Sequence, residues 1–245
     1  MNAPINPVLA PDFNSDVPAV LLPYQQEWIA DTSQLKVAEK SRRIGLTWAE
    51  AADAVLDAMS EGGQNCYYLG YNKDMTVEFI QACAMWAKAY DAAATEIEES
   101  VWEDGDKHIQ TYIIRFPNSG RRIEALTSRP SNLRGRQGRV ILDEAGFHEN
   151  LDELLKAALA LLIWGGCVRV ISTHDGEDNP FNELIKEIRA GKRKGSVHRT
   201  TFREAVDQGL YKRVCLRKGI EYKPEEEQAW VDDVYSFYGR SEERR

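Results

Sequence analysis

The sequence predicts an α/β domain with a mostly parallel central sheet flanked by helices. Three observations carry this. Short apolar runs alternate with longer amphipathic stretches, the pattern of strands joined by crossover helices. A basic, glycine-containing segment, Lys40 to Thr47, lies between one such strand and the next helix. Two near-continuous apolar runs, Val140-Ile-Leu142 and Val168-Arg-Val-Ile-Ser172, end in acids and hydroxyls, as central strands covered on both faces do when their ends carry a site.

The elements follow in order. Residues 1–20 hold four of the nine prolines and little periodic apolar pattern, so an extended arm is expected there, with order beginning near Leu21. Leu35–Glu39 reads as the first strand and Thr47–Met59 as the first crossover helix. Asn65–Leu69 reads as a strand. Lys73–Ala92 reads as a helix with Val77, Ile80, Ala84 and Ala87 on one face. Ile109–Phe116 and Arg121–Leu126, joined by Pro117-Asn-Ser-Gly120, have the composition of a hairpin. Between the two central strands Leu151–Trp164 reads as a helix. After Asn179-Pro180 come a helix to about Ala190, a strand Val197–Phe202, and helical stretches near 203–218 and 224–238.

Composition narrows the class. The 245 residues are 43% hydrophobic and 29% charged, enough apolar surface for a packed core and too little bias for a disordered, collagen-like or coiled-coil chain. Cys66, Cys83, Cys167 and Cys215 form no C-x-x-C pair, so a zinc site or disulfide framework is not suggested and reduced, mostly buried thiols are expected. The longest strongly apolar run, Ala157 to Trp164, is far short of the roughly 20 residues of a membrane span. No signal pattern opens the chain, and a soluble, intracellular protein is expected.

The chemistry concentrates at strand ends. Lys40-Ser41-Arg42-Arg43-Ile44-Gly45-Leu46-Thr47 sits where loop N–H groups and a helix N-terminus together bind anions, the place for a nucleotide's phosphates. The standard phosphate loop has Lys just before its Ser/Thr, and here Leu46 stands there. Lys40 and Arg43 are able to bring the charge from the loop's other side, while Thr47 is placed to hold Mg²⁺; a basic turn opening a helix would carry the same residues. Val140-Ile-Leu-Asp-Glu144 ends in two acids, of which Asp143 suits the Mg²⁺ shell and Glu144 suits orienting and deprotonating a water. Strand-capping acids are the alternative. Ser172 and Thr173 end a further strand, where additional-strand ATPases keep a pair that senses the γ-phosphate; turn-forming hydroxyls are its alternative. In Leu22-Pro-Tyr-Gln-Gln26, Gln25 is suited to read an adenine edge and Tyr24 to pack on the base, unless Gln25 is merely a polar helix-start residue.

With these motifs in place, residues 21–203 resemble the large terminase subunits of tailed bacteriophages, most closely the Mu-like branch. The resemblance rests on Pro23-Tyr24-Gln25, the phosphate loop with its Lys moved to Lys40, Ser131-Asn-Leu-Arg-Gly-Arg136, Val140-Ile-Leu-Asp-Glu-Ala145 and Ile171-Ser-Thr173. It implies a P-loop NTPase of the additional-strand (ASCE) type with a small C-terminal helical linker subdomain at 204–245. It also implies an Mg²⁺-dependent ATPase motor that drives double-stranded DNA into a procapsid. By the resemblance Glu144 is the catalytic carboxylate, Asp143 and Thr47 the Mg²⁺ contacts (Asp143 through water), residues 24, 25 and 40–47 the nucleotide contacts, and Ser172 and Thr173 the coupling pair. Arg134 lies where some members present an arginine finger to a neighbour, with Arg136 and Arg139 as rivals. The expected partners are DNA, a portal protein, a small terminase subunit and further copies in a pentameric ring, with a monomer in isolation, all in the host cytoplasm. The family's nuclease domain is expected to be absent, because only about forty residues follow Arg203.

Charge qualifies that picture. The net charge of -8 argues against tight independent DNA binding, since nucleic-acid affinity rests on phosphate neutralisation. Local basic stretches, Arg115 to Arg139 and Lys186 to Arg203, leave weak, salt-sensitive contact as the expectation, or simply solvated faces. Two other classes compete. A helicase-like DNA-dependent ATPase shares these motifs but needs a second motor domain, and a non-catalytic nucleotide- or DNA-binding module would follow if Lys40 pointed away from the phosphates.

Overall fold

The computed structural model describes residues 20–90, 95–104 and 107–238; the arm expected at 1–20 and the last seven residues of the expected linker lie outside the described residues, apart from Val20. Along the chain run α1 (Pro23–Ala30), β1 (Leu35–Lys40), α2 (Leu46–Met59), β2 (Cys66–Leu69), α3 (Lys73–Ala89), β3 (Thr95–Asp104), β4 (Lys107–Phe116) and β5 (Arg121–Leu126). They continue with β6 (Arg139–Asp143), α4 (Leu151–Leu159), β7 (Cys167–Ser172), α5 (Pro180–Arg189), β8 (Ser196–Thr200), α6 (Phe202–Asp207), α7 (Leu210–Lys218) and α8 (Pro224–Tyr238).

The eight strands form one sheet in the order β3-β4-β5-β2-β6-β7-β1-β8. Neighbours from β5 to β8 pair in parallel, and β3, β4 and β5 are antiparallel. The position of β7 matters most. It lies between β1, which leads into the basic loop, and β6, which ends in Asp143, and this interposed strand defines the additional-strand class.

Side-chain alternation along the strands builds two cores. Ala38, Ile141 and Ile171 face one side with Trp28, Val55, Phe79 and Phe202 of α1, α2, α3 and α6. Val37, Val140, Leu142 and Val170 face the other with Leu154 of α4 and Phe181 and Leu184 of α5. Burying each large aliphatic or aromatic side chain contributes about 1.5–3 kcal/mol, so the central strands hold the sheet from both faces. Gly138 allows the entry to β6, since a Cβ there would lie 2.2 Å from the Asn65 carbonyl oxygen.

The elements expected from sequence are present with shifted ends and one addition. The acidic stretch near Asp91 to Asp106 carries β3, which pairs with β4 over Ser100↔Thr111 to Asp104↔Lys107; backbone pairing rather than an apolar pattern makes it a strand. The helix expected over Leu151–Trp164 tightens to a 3₁₀ turn at Ala160–Trp164. The strand expected to reach Phe202 stops at Thr200, because Thr201 caps α6 through the Glu204 N–H while the Glu204 carboxylate accepts from the Thr201 N–H at 2.7 Å. The stretch near 203–218 is two helices, broken at Gly209 (φ 99°). All four cysteines are free thiols, three of them buried. No helix among the described residues is long and apolar enough to cross a membrane.

A buried charged cluster joins α2 to the sheet. The Arg139 guanidinium meets the carboxylates of Glu50 (3.2 Å), Asp53 (2.6 Å) and Asp57 (3.4 Å), all on α2. Trp28 Nε1 donates to the other Glu50 oxygen at 2.7 Å, and Lys36 Nζ donates to the Trp28 carbonyl at 2.6 Å. Burial pushes the Lys36 ammonium below its ordinary pKa, with Glu50 opposing.

Candidate active site

The phosphate loop is shaped by backbone conformation and braced from below. Arg43 (φ 54°) and Gly45 (φ 77°) are left-handed within it, and turns of this kind aim successive N–H groups into one concavity. Glycine suits position 45, where a side chain would be strained by that φ and would meet a Gln25 Nε2 atom 3.1 Å from where a Cβ would stand. The Ser41 N–H donates to the Thr200 carbonyl at 2.9 Å, tying the loop's start to β8. Tyr24 Oη donates to the Ile44 carbonyl, and Gln25 Nε2 to the Gly45 carbonyl at 2.9 Å.

These last two bonds change the reading of Tyr24 and Gln25. Both are buried, neither lines the cavity above the loop, and Gln25 Oε1 accepts from the Leu22 N–H at 2.9 Å. With both ends of the amide engaged by main chain, the pair supports the loop instead of presenting an edge to a base. Burial also pushes the Tyr24 hydroxyl above its ordinary pKa, so it stays a donor.

Above the loop, a cavity of about 820 Å³ is lined by Lys40, Arg43, Thr47, Asp143, Glu144 and Thr173 among others. Lys40, 9% exposed, points inward and pairs its Nζ with Glu144 Oε1 at 2.8 Å. Leu46 lines the same cavity without a charge to offer. Asp143 is fully buried, and its Oδ2 accepts from Thr47 Oγ1 (3.0 Å) and Tyr68 Oη (2.9 Å). Burial raises its carboxyl pKa, with the Lys40 charge opposing. Tyr68, stacked on Phe79 at 3.9 Å, is a site residue that sequence reading missed, since its hydroxyl reaches Asp143 only across two neighbouring strands.

Glu144 adopts a left-handed conformation (φ 48°), rare for a residue with a side chain, at the junction of β6 and the turn Ala145–Phe147. Its Oε2 atom and the Thr173 hydroxyl are buried with no hydrogen-bond partner among the described residues, and both residues line the cavity. Buried polar atoms without partners are costly unless a ligand or water satisfies them. Ser172 Oγ accepts from the Gly146 N–H (3.0 Å) and donates to the Thr173 carbonyl (2.7 Å), so the end of β7 is hydrogen-bonded to the turn that follows Glu144.

The three candidate finger arginines separate. Arg139 is committed to α2. Arg136 makes a two-pronged contact with Glu124 (2.5 and 2.8 Å) and lies 4.9 Å from the centre of the Tyr67 ring. Arg134, after the turn Pro130–Leu133, is exposed, its side chain makes no hydrogen bond or ion pair among the described residues, and it does not line the cavity of its own chain. In the second basic stretch, Arg189 pairs with Glu39 and Arg193 with Glu187, as a solvated, ion-paired face does.

An interposed strand beside the loop strand, a loop with an inward lysine, and an Asp-Glu pair at the neighbouring strand end are the arrangement of the additional-strand P-loop fold. The comparisons with known proteins give the branch. No family model matches. The chain is 56% identical over 218 residues to the Mu-like prophage FluMu protein gp28 of Haemophilus influenzae, covering 88% of this chain and 43% of that protein. It is 52% identical over 222 residues to the probable terminase large subunit gp28 of Escherichia phage Mu, covering 88% of this chain and 40% of that protein. The chain is thus similar in sequence to these two gp28 proteins and spans about two fifths of their length. Its fold matches the Thermus phage P74-26 large terminase ATPase domain (TM-score 0.52, 19% identity, 83% of this chain and 89% of that one). It also matches a large terminase from a thermophilic bacteriophage in complex with ATP-γ-S (TM-score 0.57, 15% identity, 84% and 51%).

Proposed function

We propose that the chain is the ATP-hydrolysing motor domain of a phage DNA-packaging terminase, driving DNA into the procapsid. The observation that carries this is the convergence of Lys40 and Thr47, at the two ends of the phosphate loop, on the strand-end pair Glu144 and Asp143.

In this reading the loop N–H groups and the α2 N-terminus hold the β- and γ-phosphates. Lys40 turns from Glu144 to the phosphate oxygens, which frees Glu144 to orient the attacking water and accept its proton. The hydroxyl of Thr47 and the carboxylate of Asp143 are oxygen donors of the kind Mg²⁺ takes, and the buried Thr173 hydroxyl and Glu144 Oε2 are polar atoms awaiting partners, so these residues fit an Mg²⁺-nucleotide. Bound there, the ion would neutralise charge on the phosphate oxygens. Thr173 senses the γ-phosphate, and Ser172 passes its loss to the Gly146 turn. Arg134 serves a neighbouring copy as the finger in a pentameric ring on a portal protein, with a small terminase subunit and DNA as the other partners in the host cytoplasm. Residues 21–203 form the ATPase unit and 204–245 the linker.

The test is Mg²⁺-dependent ATP hydrolysis across a protein-concentration series. Lys40→Ala is expected to weaken ATP binding at least tenfold in calorimetry and to abolish turnover, because a charge-assisted bond to phosphate is lost. Wild-type ATP affinity in Lys40→Ala would remove the loop from the site. Arg134→Ala is expected to bind ATP as the wild type does while losing any rise of specific activity with concentration. An unaltered concentration dependence would exclude Arg134 as the finger.

A further inference from the structure

The cavity lined by Lys40 and Thr47 also has an apolar and aromatic lining, with Trp48, Met75, Ala82 and, from the last turn of α8, Tyr238. Trp48 directly follows Thr47 on α2, and both line this cavity. Its ring is held by Trp86, with centroids 4.5 Å apart, and Trp86 Nε1 donates to the Trp48 carbonyl at 3.1 Å. Tyr238 reaches the same cavity because α8 is pinned to the body by Val231, 1% exposed, and by Trp230 and Tyr235, whose rings lie 5.6 and 5.5 Å from Phe202. Tyr238 itself remains half-exposed. Tyr24 and Gln25, the expected base contacts, lie beneath the loop and outside this cavity.

Resting on the nucleotide reading above, we propose that the purine base of the bound nucleotide lies against the aromatic wall formed by Trp48 and Tyr238, which makes Tyr238 of α8 a base-binding residue. A cavity lined by both polar donors and aromatic rings suits a nucleoside triphosphate, since base–aromatic stacking is sequence-tolerant and adds substantially to affinity. The contact also makes the position of α8 depend on whether a nucleotide is bound.

The experiment compares Mg²⁺-ATP with inorganic tripolyphosphate, which lacks a base, by calorimetry on the whole chain and its Tyr238→Ala and Tyr238→Phe variants. Circular dichroism checks that both variants are folded. Tyr238→Ala is expected to bind ATP about tenfold more weakly and tripolyphosphate as the wild type does. Tyr238→Phe, which keeps the ring, is expected to stay within about twofold of the wild type for both ligands. ATP affinity unchanged in Tyr238→Ala, an equal loss for tripolyphosphate, or no recovery in Tyr238→Phe would overturn the inference and leave the ATPase reading standing. A wild-type chain that binds neither ligand would overturn the nucleotide reading and this inference with it.

Discussion

Glu144→Gln is expected to lower the ATP turnover number by a factor of about 10²–10⁴ while leaving ATP binding no weaker than in the wild type. The two halves have separate causes. Glutamine keeps the length and shape of the side chain at the β6 end but cannot accept the water's proton. It also removes the negative partner of Lys40, and with it the ion pair that phosphate must displace to recruit the lysine. On the proposed reading, removing a carboxylate beside the phosphates has no reason to weaken their binding. Steady-state hydrolysis together with calorimetric titration of ATP decides the matter. Turnover within a few-fold of the wild type would transfer the base role elsewhere, and a large loss of affinity would show that Glu144 holds the site together instead of acting on water.

Arg139→Ala is expected to cost about 3–5 kcal/mol of folding stability, read as a fall in the unfolding free energy in urea titrations. Arg139 faces three α2 carboxylates, and Glu50 among them has no exposure to solvent. Burial disfavours the guanidinium's charge, and Glu50, Asp53 and Asp57 more than offset this, so its pKa lies above the ordinary arginine value. Removing the cation leaves buried carboxylates without compensation, which is costlier than never having had the pair. The same variant separates the arginines functionally. A loss below about 1 kcal/mol would mean that the cluster is solvated, and would restore Arg139 as a rival to Arg134.

The arrangement of Ser172 gives the coupling expectation a physical form. Its hydroxyl bridges the Gly146 N–H and the Thr173 carbonyl, joining the end of β7 to the turn behind Glu144. A Cβ at Gly146 would stand 3.2 Å from both Ser172 Oγ and the Thr173 carbonyl oxygen, so the two strand ends are in close contact. Thr173 and the turn after Glu144 are therefore joined by a short hydrogen-bonded path.

Much of the fold and of the site was written in local pattern. Strand ends and helix starts follow from apolar periodicity, and the loop Lys40–Thr47, the acids Asp143 and Glu144, and the pair Ser172 and Thr173 lie at the junctions that periodicity marks, which is why they read from sequence as phosphate, metal and sensing residues. Pairing partners carry no such mark. Strand β3 exists through its ladder with β4, and the place of β7 between β1 and β6 is a matter of sheet order, which successive segments do not encode. The same holds for individual side chains. Tyr24 and Gln25 were legible as polar groups near the loop, but whether they face a base or the loop's own carbonyls depends on how α1 docks against α2. Arg134, Arg136 and Arg139 look alike in one short basic run, and only their burial against Glu124, Glu50 and Asp53, or its absence, tells them apart. Tyr68 and Tyr238 gave no signal at all, since one reaches Asp143 across two neighbouring strands and the other reaches the cavity from the far end of α8. Local pattern specifies elements because periodicity is a property of neighbouring residues. The choice of which side chain meets which is made by long-range packing, where a hydrogen bond or a buried charge finds its partner far along the chain.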